Sequence, residues 1–218
     1  MKHYQLENHI LYIRRWLRFR KNLLLFKKQK RSALFLDIDG TIWPDSGPGS
    51  LVNGKVVRPE IHSYILKLKR EFDFFVLVTN QTYFSRKVQH DRNEIETYFH
   101  NACELAKNLG VDLVLSCPHH PEAQNNALRK NCDFRKPNPG MFRFAIKLLD
   151  LDQKKCVVVG DRITDIIASA EAKINNNFLL VNPDAFQLNI SKPTNIEVGV
   201  FFRIVNSLED VIYMLGRQ

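Results

Sequence analysis

No stretch of this chain is apolar over the roughly 20 residues that a membrane-spanning helix requires. The longest apolar run near its start is Leu23-Leu24-Leu25-Phe26. Cysteine is sparse, with four (Cys103, Cys117, Cys132 and Cys156) in 218 residues, so no disulfide scaffold is expected and a reducing cytoplasm is. A secretory signal is not expected either, because arginines interrupt the region where its apolar stretch would lie. Internal repeats and low-complexity tracts are missing. Acid is nearly missing from the first 31 positions, where Glu7 stands against ten Lys and Arg.

That imbalance gives residues 1–31 the whole formal charge of the chain, +9, and leaves the remainder neutral. The basic character therefore describes an N-terminal arm. On a helical wheel Leu6, Ile10, Ile13, Leu17 and Leu24 share one stripe, with Arg14, Arg15 and Arg18 flanking or opposite it, so the arm reads as a basic amphipathic helix. Three partners fit such a helix. Its stripe packs on the domain or a second subunit, its cations lie on an anionic membrane surface, or the arginines with Trp16 and Phe19 meet nucleic acid. No nucleic-acid motif accompanies the third.

From residue 32 onward strand-like and helix-like segments alternate. Residues 33–38, 74–78, 111–115, 157–159 and 178–181 read as buried strands; residues 59–71, 93–109, 139–149, the stretch to about 173, and 208–215 read as helices. Ser207-Leu208-Glu209-Asp210 has the form of a capping box. Continuous apolar strands separated by helices imply an α/β fold, a Rossmann-like parallel sheet covered on both faces. The charge break near residue 31 divides a 1–31 arm from a 32–218 domain.

The polar residues cluster at strand ends. The first strand ends in Asp37-Ile38-Asp39-Gly40-Thr41, the second in Thr79-Asn80-Gln81 and the fourth in Gly160-Asp161, with Asp165 one turn on; Arg135-Lys136-Pro137 precedes a helix. In a parallel sheet these ends share one edge, where open α/β folds bind ligands. Paired carboxylates, a hydroxyl with backbone amides, a lysine and further aspartates make a phosphoryl-transfer set.

The order DIDGT, TNQ, RKP and GDRITD resembles the four motifs of the haloacid dehalogenase (HAD) superfamily over about residues 32–205. The resemblance implies Asp37 as the nucleophile and Asp39 as the acid and base. Thr79 and the Asn80 amide bind the phosphoryl group, and Lys136 pairs with its charge. Asp37, the Asp39 carbonyl and Asp161 ligate Mg²⁺, with Asp165 supporting that site or capping its helix. An acid two positions after the nucleophile is the phosphatase pattern and argues against dehalogenation.

A narrower match runs from Ser116-Cys117-Pro118-His119-His120 to Cys132-Asp133-Phe134-Arg135-Lys136. It resembles the capless heptose-bisphosphate and histidinol-phosphate phosphatases, whose loop carries a structural zinc. The twelve residues between His119 and Cys132 resemble the heptose branch. Carried over, Cys117, His119 and Cys132 are zinc ligands, but Phe134 stands at the fourth position, leaving His120, Asp133, water or a neighbouring loop to supply a donor.

Arg135 and Arg162 adjoin motif residues and suit a second substrate phosphate. Substrate selection falls to loops at 43–58, 82–92 and 117–135. The resemblance thus implies a Mg²⁺-dependent phosphomonoesterase acting on a small phosphorylated metabolite, a heptose bisphosphate or related polysaccharide precursor. A polynucleotide 3′-phosphatase, a histidinol-phosphate phosphatase and a non-catalytic docking protein are the other readings.

Overall fold

Buried apolar runs set the centre of the molecule. The computed structural model describes residues 9–13, 31–43, 49–54, 57, 59–181 and 200–216. Strands β2 (Arg31–Leu36), β3 (Phe74–Asn80), β4 (Leu113–Cys117), β5 (Leu151–Gly160) and β6 (Asn176–Leu180) run parallel, as the apolar runs predict. Two more strands border them. β1 (Ile10–Ile13) pairs antiparallel with β4, and β7 (Arg203–Val205) pairs parallel with β6. The seven-stranded order is β1-β4-β3-β2-β5-β6-β7.

Among the described residues six α-helices accompany the sheet: α1 (Ser50–Asn53), α2 (Pro59–Lys69), α3 (Arg92–Leu109), α4 (Gly140–Leu149), α5 (Ile163–Glu171) and α6 (Leu208–Leu215). Ile65 of α2, Tyr98 and Leu105 of α3, and Val211 of α6 pack with Leu34, Leu36 and Leu77 on one face of the sheet. Met141, Phe142 and Ala145 of α4, and Ala168 of α5, pack with Phe35, Val76 and Val158 on the other. Alternate residues of each strand thus enter opposite cores, as the period of two requires. Each such fully buried Leu, Val or Phe is worth about 1.5–3 kcal/mol.

Local chemistry sets the helix ends. Asp91 caps α3 by accepting from the Asn93 N–H at 2.9 Å, and Gly110, at φ 63°, ends it. The capping box at α6 forms as read, with the Asp210 N–H donating to Ser207 Oγ at 3.1 Å and the Ser207 N–H donating to Asp210 Oδ2 at 3.0 Å. Among the described residues neither the segment after β2 nor that after β3 carries a second domain. No helix among them is long and apolar enough to cross a membrane.

The helical reading of the arm fails where the arm is described. Residues 10–13 are a strand, with Ile10, Tyr12 and Ile13 opposite Leu115, Val114 and Leu113 and a register shift between Ile10 and Tyr12. That irregularity explains the misreading. It turns Ile10 and Ile13 to the same core, while Leu11 and Tyr12 enter the other, so a spacing of three imitates a helical stripe. Residues 14–30, with most of the arm's cations, lie outside the described residues.

Candidate active site

The parallel strands deliver the polar residues to one edge. Asp37 follows β2, and its N–H donates to the Val159 carbonyl at 3.1 Å, continuing the ladder with β5. Its carboxylate is buried and accepts from Lys136 Nζ at 2.7 Å. The same ammonium donates to the Val78 carbonyl at 2.9 Å and contacts the Asp165 carboxylate. Lys136 is therefore a buried cation between two buried anions. Burial opposes its charge, but Asp165 and Asp37 outweigh burial and hold its pKa above the usual value.

Lys136 comes from a loop, so something must hold that loop against β3. Asn80 does so with both ends of its amide, donating to the Lys136 carbonyl at 2.9 Å and accepting from the Lys136 N–H at 3.1 Å. This side chain is thereby committed to holding the Lys136 loop.

Asp161 follows β5, and α5 begins just beyond it. Asp37, Asp161 and Asp165 bring carboxylate oxygens within 4.8 Å of one another. Asp161 Oδ1 is buried with no hydrogen-bond partner. Burial and the neighbouring carboxylates push Asp161 up to about 8, and burial likewise pushes Asp37 up to about 7 although Lys136 opposes it. A protein-only site does not compensate these charges, whereas a hard divalent cation with oxygen ligands would. The donor set fits Mg²⁺. Asp165 accepts from the Arg162 N–H at 3.1 Å at the start of α5, as a capping residue does, and also touches Lys136.

Gly40, at φ 85°, lets the turn after Asp39 approach this cluster, since a Cβ there would lie 2.0 Å from Asp161 Oδ2. Both oxygens of Asp39 are occupied: Oδ1 accepts from Trp43 Nε1 at 2.8 Å and Oδ2 from Gln81 Nε2 at 2.6 Å. Gln81 also donates to Thr79 Oγ1 at 3.0 Å, so one amide links two residues read as catalytic. Neither Trp43 nor Gln81 was picked out from the sequence, although Gln81 ends the TNQ cluster.

Comparisons with known proteins agree with this geometry. The HAD-hydrolase-like family model matches residues 133–185. A Photorhabdus laumondii protein named D-glycero-beta-D-manno-heptose-1,7-bisphosphate 7-phosphatase is 33% identical over 182 residues, covering 82% of this chain and 92% of that relative. The Escherichia coli K12 protein of the same name is 31% identical over 188 residues, covering 85% and 94%. Among solved structures, a Mesorhizobium loti protein described as a HAD-like phosphatase superposes with a TM-score of 0.67 at 28% identity, covering 86% of this chain and 87% of that one. D,D-heptose 1,7-bisphosphate phosphatase from B. bronchiseptica, complexed with magnesium and phosphate, superposes with a TM-score of 0.63 at 25% identity, covering 85% and 98%. The chain belongs to the HAD-like phosphatases.

Beside the carboxylate edge of this phosphatase lies a second polar centre. Cys117 ends β4, opposite Asn80 of β3, and its carbonyl accepts from the Gln81 N–H at 2.9 Å. Cys117, His119 and Cys132 come together as read, but His120 and Asp133 do not join them. The fourth member is His9, from the residue before β1, and the four ligand atoms lie within 4.8 Å of one another. Nothing in the sequence singled out His9, because its surroundings read as helix.

The two arginines behave differently. Arg162 is exposed at the start of α5. Arg135 is half-buried and donates from Nη1 to the His119 carbonyl at 3.1 Å, which ties it to the second centre. Burial depresses its pKa, and the charges of Arg162 and Arg86 press in the same direction. Arg86, in the short helical turn Phe84–Arg86 after β3, is thus a third cation near this edge.

Proposed function

We propose that this phosphatase hydrolyses a phosphosugar through an aspartyl-phosphate on Asp37, with Mg²⁺ as cofactor. The observation that supports it most directly is the buried set of Asp37, Lys136, Asp161 and Asp165 beside the doubly held Asp39. Asp37 attacks phosphorus, the bond from phosphorus to the sugar oxygen breaks, and the departing oxygen takes a proton from Asp39. Asp39 then removes a proton from water as that water attacks the same phosphorus. The bond to Asp37 breaks, releasing inorganic phosphate.

Thr79 Oγ and the Asn80 N–H donate to the phosphoryl oxygens, and the Lys136 ammonium offsets their charge. Asp37, the Asp39 carbonyl and Asp161 hold the metal, with Asp165 behind them. Bound Mg²⁺ supplies neutralisation of the charge that builds on the transferring group.

The substrate we propose is a heptose bisphosphate. The relatives' names support it, as does the grouping of Arg86, Arg135 and Arg162, which suits a second phosphate. Cys117, His119 and Cys132 hold a structural Zn²⁺ that orders the 117–135 loop. A reducing, cytoplasmic setting belongs to the same proposal, since it keeps Cys117 and Cys132 available as zinc thiolates.

The test is phosphate release from a panel of sugar bisphosphates, sugar monophosphates, histidinol phosphate and 3′-phosphorylated oligonucleotides, with Mg²⁺, for wild type and Asp37→Asn. Turnover should be fastest on a heptose bisphosphate and fall by at least about 10⁴-fold in the variant, as expected for loss of a nucleophile. Preference for the oligonucleotide would overturn the sugar assignment. Equal activity of Asp37→Asn would overturn the mechanism.

A further inference from the structure

We infer that His9 is the fourth protein ligand of the zinc centre, so that the metal fastens the N-terminal strand to the substrate loop. The inference rests on Cys117, His119 and Cys132 holding zinc, as proposed above; His9 and its consequence for β1 are new.

Distances favour a tetrahedral site. Zinc bonds of about 2.3 Å to sulfur and about 2.0–2.1 Å to nitrogen at tetrahedral angles put sulfur and nitrogen about 3.6 Å apart. Cys132 Sγ lies 3.6 Å from His9 Nε2, and Cys117 Sγ lies 3.6 Å from His119 Nδ1. Each pair has the sulfur–nitrogen spacing that an S₂N₂ centre needs, and all four ligand atoms lie within 4.8 Å of one another. Cys117 and His119 are fully buried, as befits a structural metal.

The imidazole of His9 is also in the right protonation pattern. Its Nδ1 lies 2.8 Å from the Ser116 carbonyl, which can only accept, so Nδ1 carries the proton and Nε2 turns toward Cys132. A ligating histidine held by Nδ1–H on a backbone carbonyl is a common arrangement behind metal sites. The ring plane is fixed too. Phe134 stacks on it at 4.2 Å with an interplanar angle of 16°. The residue that cannot ligate at the expected fourth position therefore supports the ring that can.

The other candidate donors are engaged elsewhere or turned away. His120 Nδ1 accepts from the Glu122 N–H at 3.1 Å, and Asp133 is exposed. Neither belongs to the four-residue cluster.

The consequence reaches both ends of the site. β1 is a four-residue edge strand with an irregular register, a weak attachment by itself. His9 extends that pairing, its carbonyl accepting from the Ser116 N–H at 2.9 Å, and the metal adds a covalent-strength anchor to Cys132, 123 residues away in sequence. On the other side, the His119 carbonyl receives Arg135 and the Cys132 carbonyl receives both the Arg135 N–H and Asn138 Nδ2. One metal thus ties β1, the loop and the turn that carries Lys136.

The full chain, purified and loaded with Zn²⁺ or Co²⁺ alone, tests this. Wild type should bind one equivalent, and the cobalt form should show intense tetrahedral d–d bands with thiolate charge transfer. His9→Ala should weaken zinc by at least about a hundredfold in chelator competition, since even lost support behind a ligand costs about 10–100-fold. It should also speed hydrogen exchange at Leu11–Ile13, as chelation should in wild type. Adding Phe134→Cys to His9→Ala should restore the affinity, with stronger thiolate charge transfer, but not the protection of β1. That rescue separates ligation from a fault in strand docking. If His9→Ala keeps wild-type zinc affinity and cobalt spectrum, His9 is not a ligand although the loop still binds metal. If wild type takes up neither ion, the loop reading falls as well.

Discussion

The two polar centres lie side by side on one sheet edge, yet they are assembled by different rules. The carboxylate–lysine centre draws Asp37, Thr79 and Asp161 from the ends of adjacent parallel strands and Lys136 from a loop clamped to β3 by Asn80. The sulfur–imidazole centre takes three members from one loop region and the fourth, His9, from an antiparallel edge strand at the far end of the sequence. Parallel strands force their C-terminal ends together whatever the intervening sequence does. An edge strand has no such constraint, because its place is decided by pairing. The first centre should therefore fail through chemistry alone, and the second through structure.

The largest expected effect that sharpens this contrast is at Asp39. Asp39→Asn keeps the shape and one acceptor, for Trp43, while its NH2 faces Gln81, whose amide must turn to accept; it cannot transfer the proton, so kcat should fall by about 10²–10⁴-fold. Zinc content and thermal stability should stay close to wild type. A variant within about threefold of wild-type turnover would remove Asp39 from the reaction and break the idea that the strand-end edge is where chemistry happens.

The same contrast explains what was legible in the sequence. The buried parallel strands and the motif residues after them could be read because apolar runs and polar punctuation are local signals. β1 and β7 could not. Ile10 and Ile13 share a core through a register shift, and β7 is three residues long with Arg203 and Ile204 exposed. β5 begins at Leu151, earlier than its apolar run, because Lys154 and Lys155 extend into solvent from its first half. Of the residues read from the motifs, Asp37, Lys136, Asp161 and Asp165 cluster together, and Asp39 and Thr79 are linked through Gln81. His9 was not, since a lone histidine before an apparent helix carries no signal until β1 is paired. Gln81 and Trp43 were passed over for a different reason. Their contact with Asp39 depends on the turn through Gly40, which neither spacing nor composition reveals.

A smaller effect is expected at Gln81. Gln81→Leu fills a similar volume but removes the donor that bridges Asp39 Oδ2 and Thr79 Oγ1. Misplacing a reacting group by about 1 Å can cost up to 100-fold, and Trp43 still holds the other oxygen, so a loss of about tenfold in kcat is expected. The loss should appear in kcat more than in KM, and Gln81→Glu should not rescue it, because a carboxylate there repels Asp39. Unchanged kcat with raised KM would instead make Gln81 a substrate contact.

The smallest expected effect concerns the cation that the carboxylate centre fits, and it distinguishes the two centres without any turnover measurement. Burial, with Asp165 and other carboxylates nearby, raises Asp37 from 3.8 to about 7 and Asp161 from 3.8 to about 8. In metal-free protein the folded state therefore binds these protons more tightly than the unfolded chain does. Their contribution to stability is present in full below the unfolded value and is lost as pH rises through about 7 and about 8. Magnesium competes with those protons for the same oxygens, so its stabilising effect has the opposite slope. At a concentration near 100 times Kd, Mg²⁺ adds about 2.7 kcal/mol, which for a chain of this size is about 5–10 °C in Tm. That shift should approach its full size as pH rises above about 8 and shrink toward pH 5, by calorimetry with and without Mg²⁺. Asp161→Asn should abolish it. Cys117→Ser should leave the magnesium-dependent part intact even where it lowers Tm itself, since a hard cation does not select thiolate ligands. A magnesium shift that Cys117→Ser removes and Asp161→Asn spares would show that the two centres have been assigned the wrong way round.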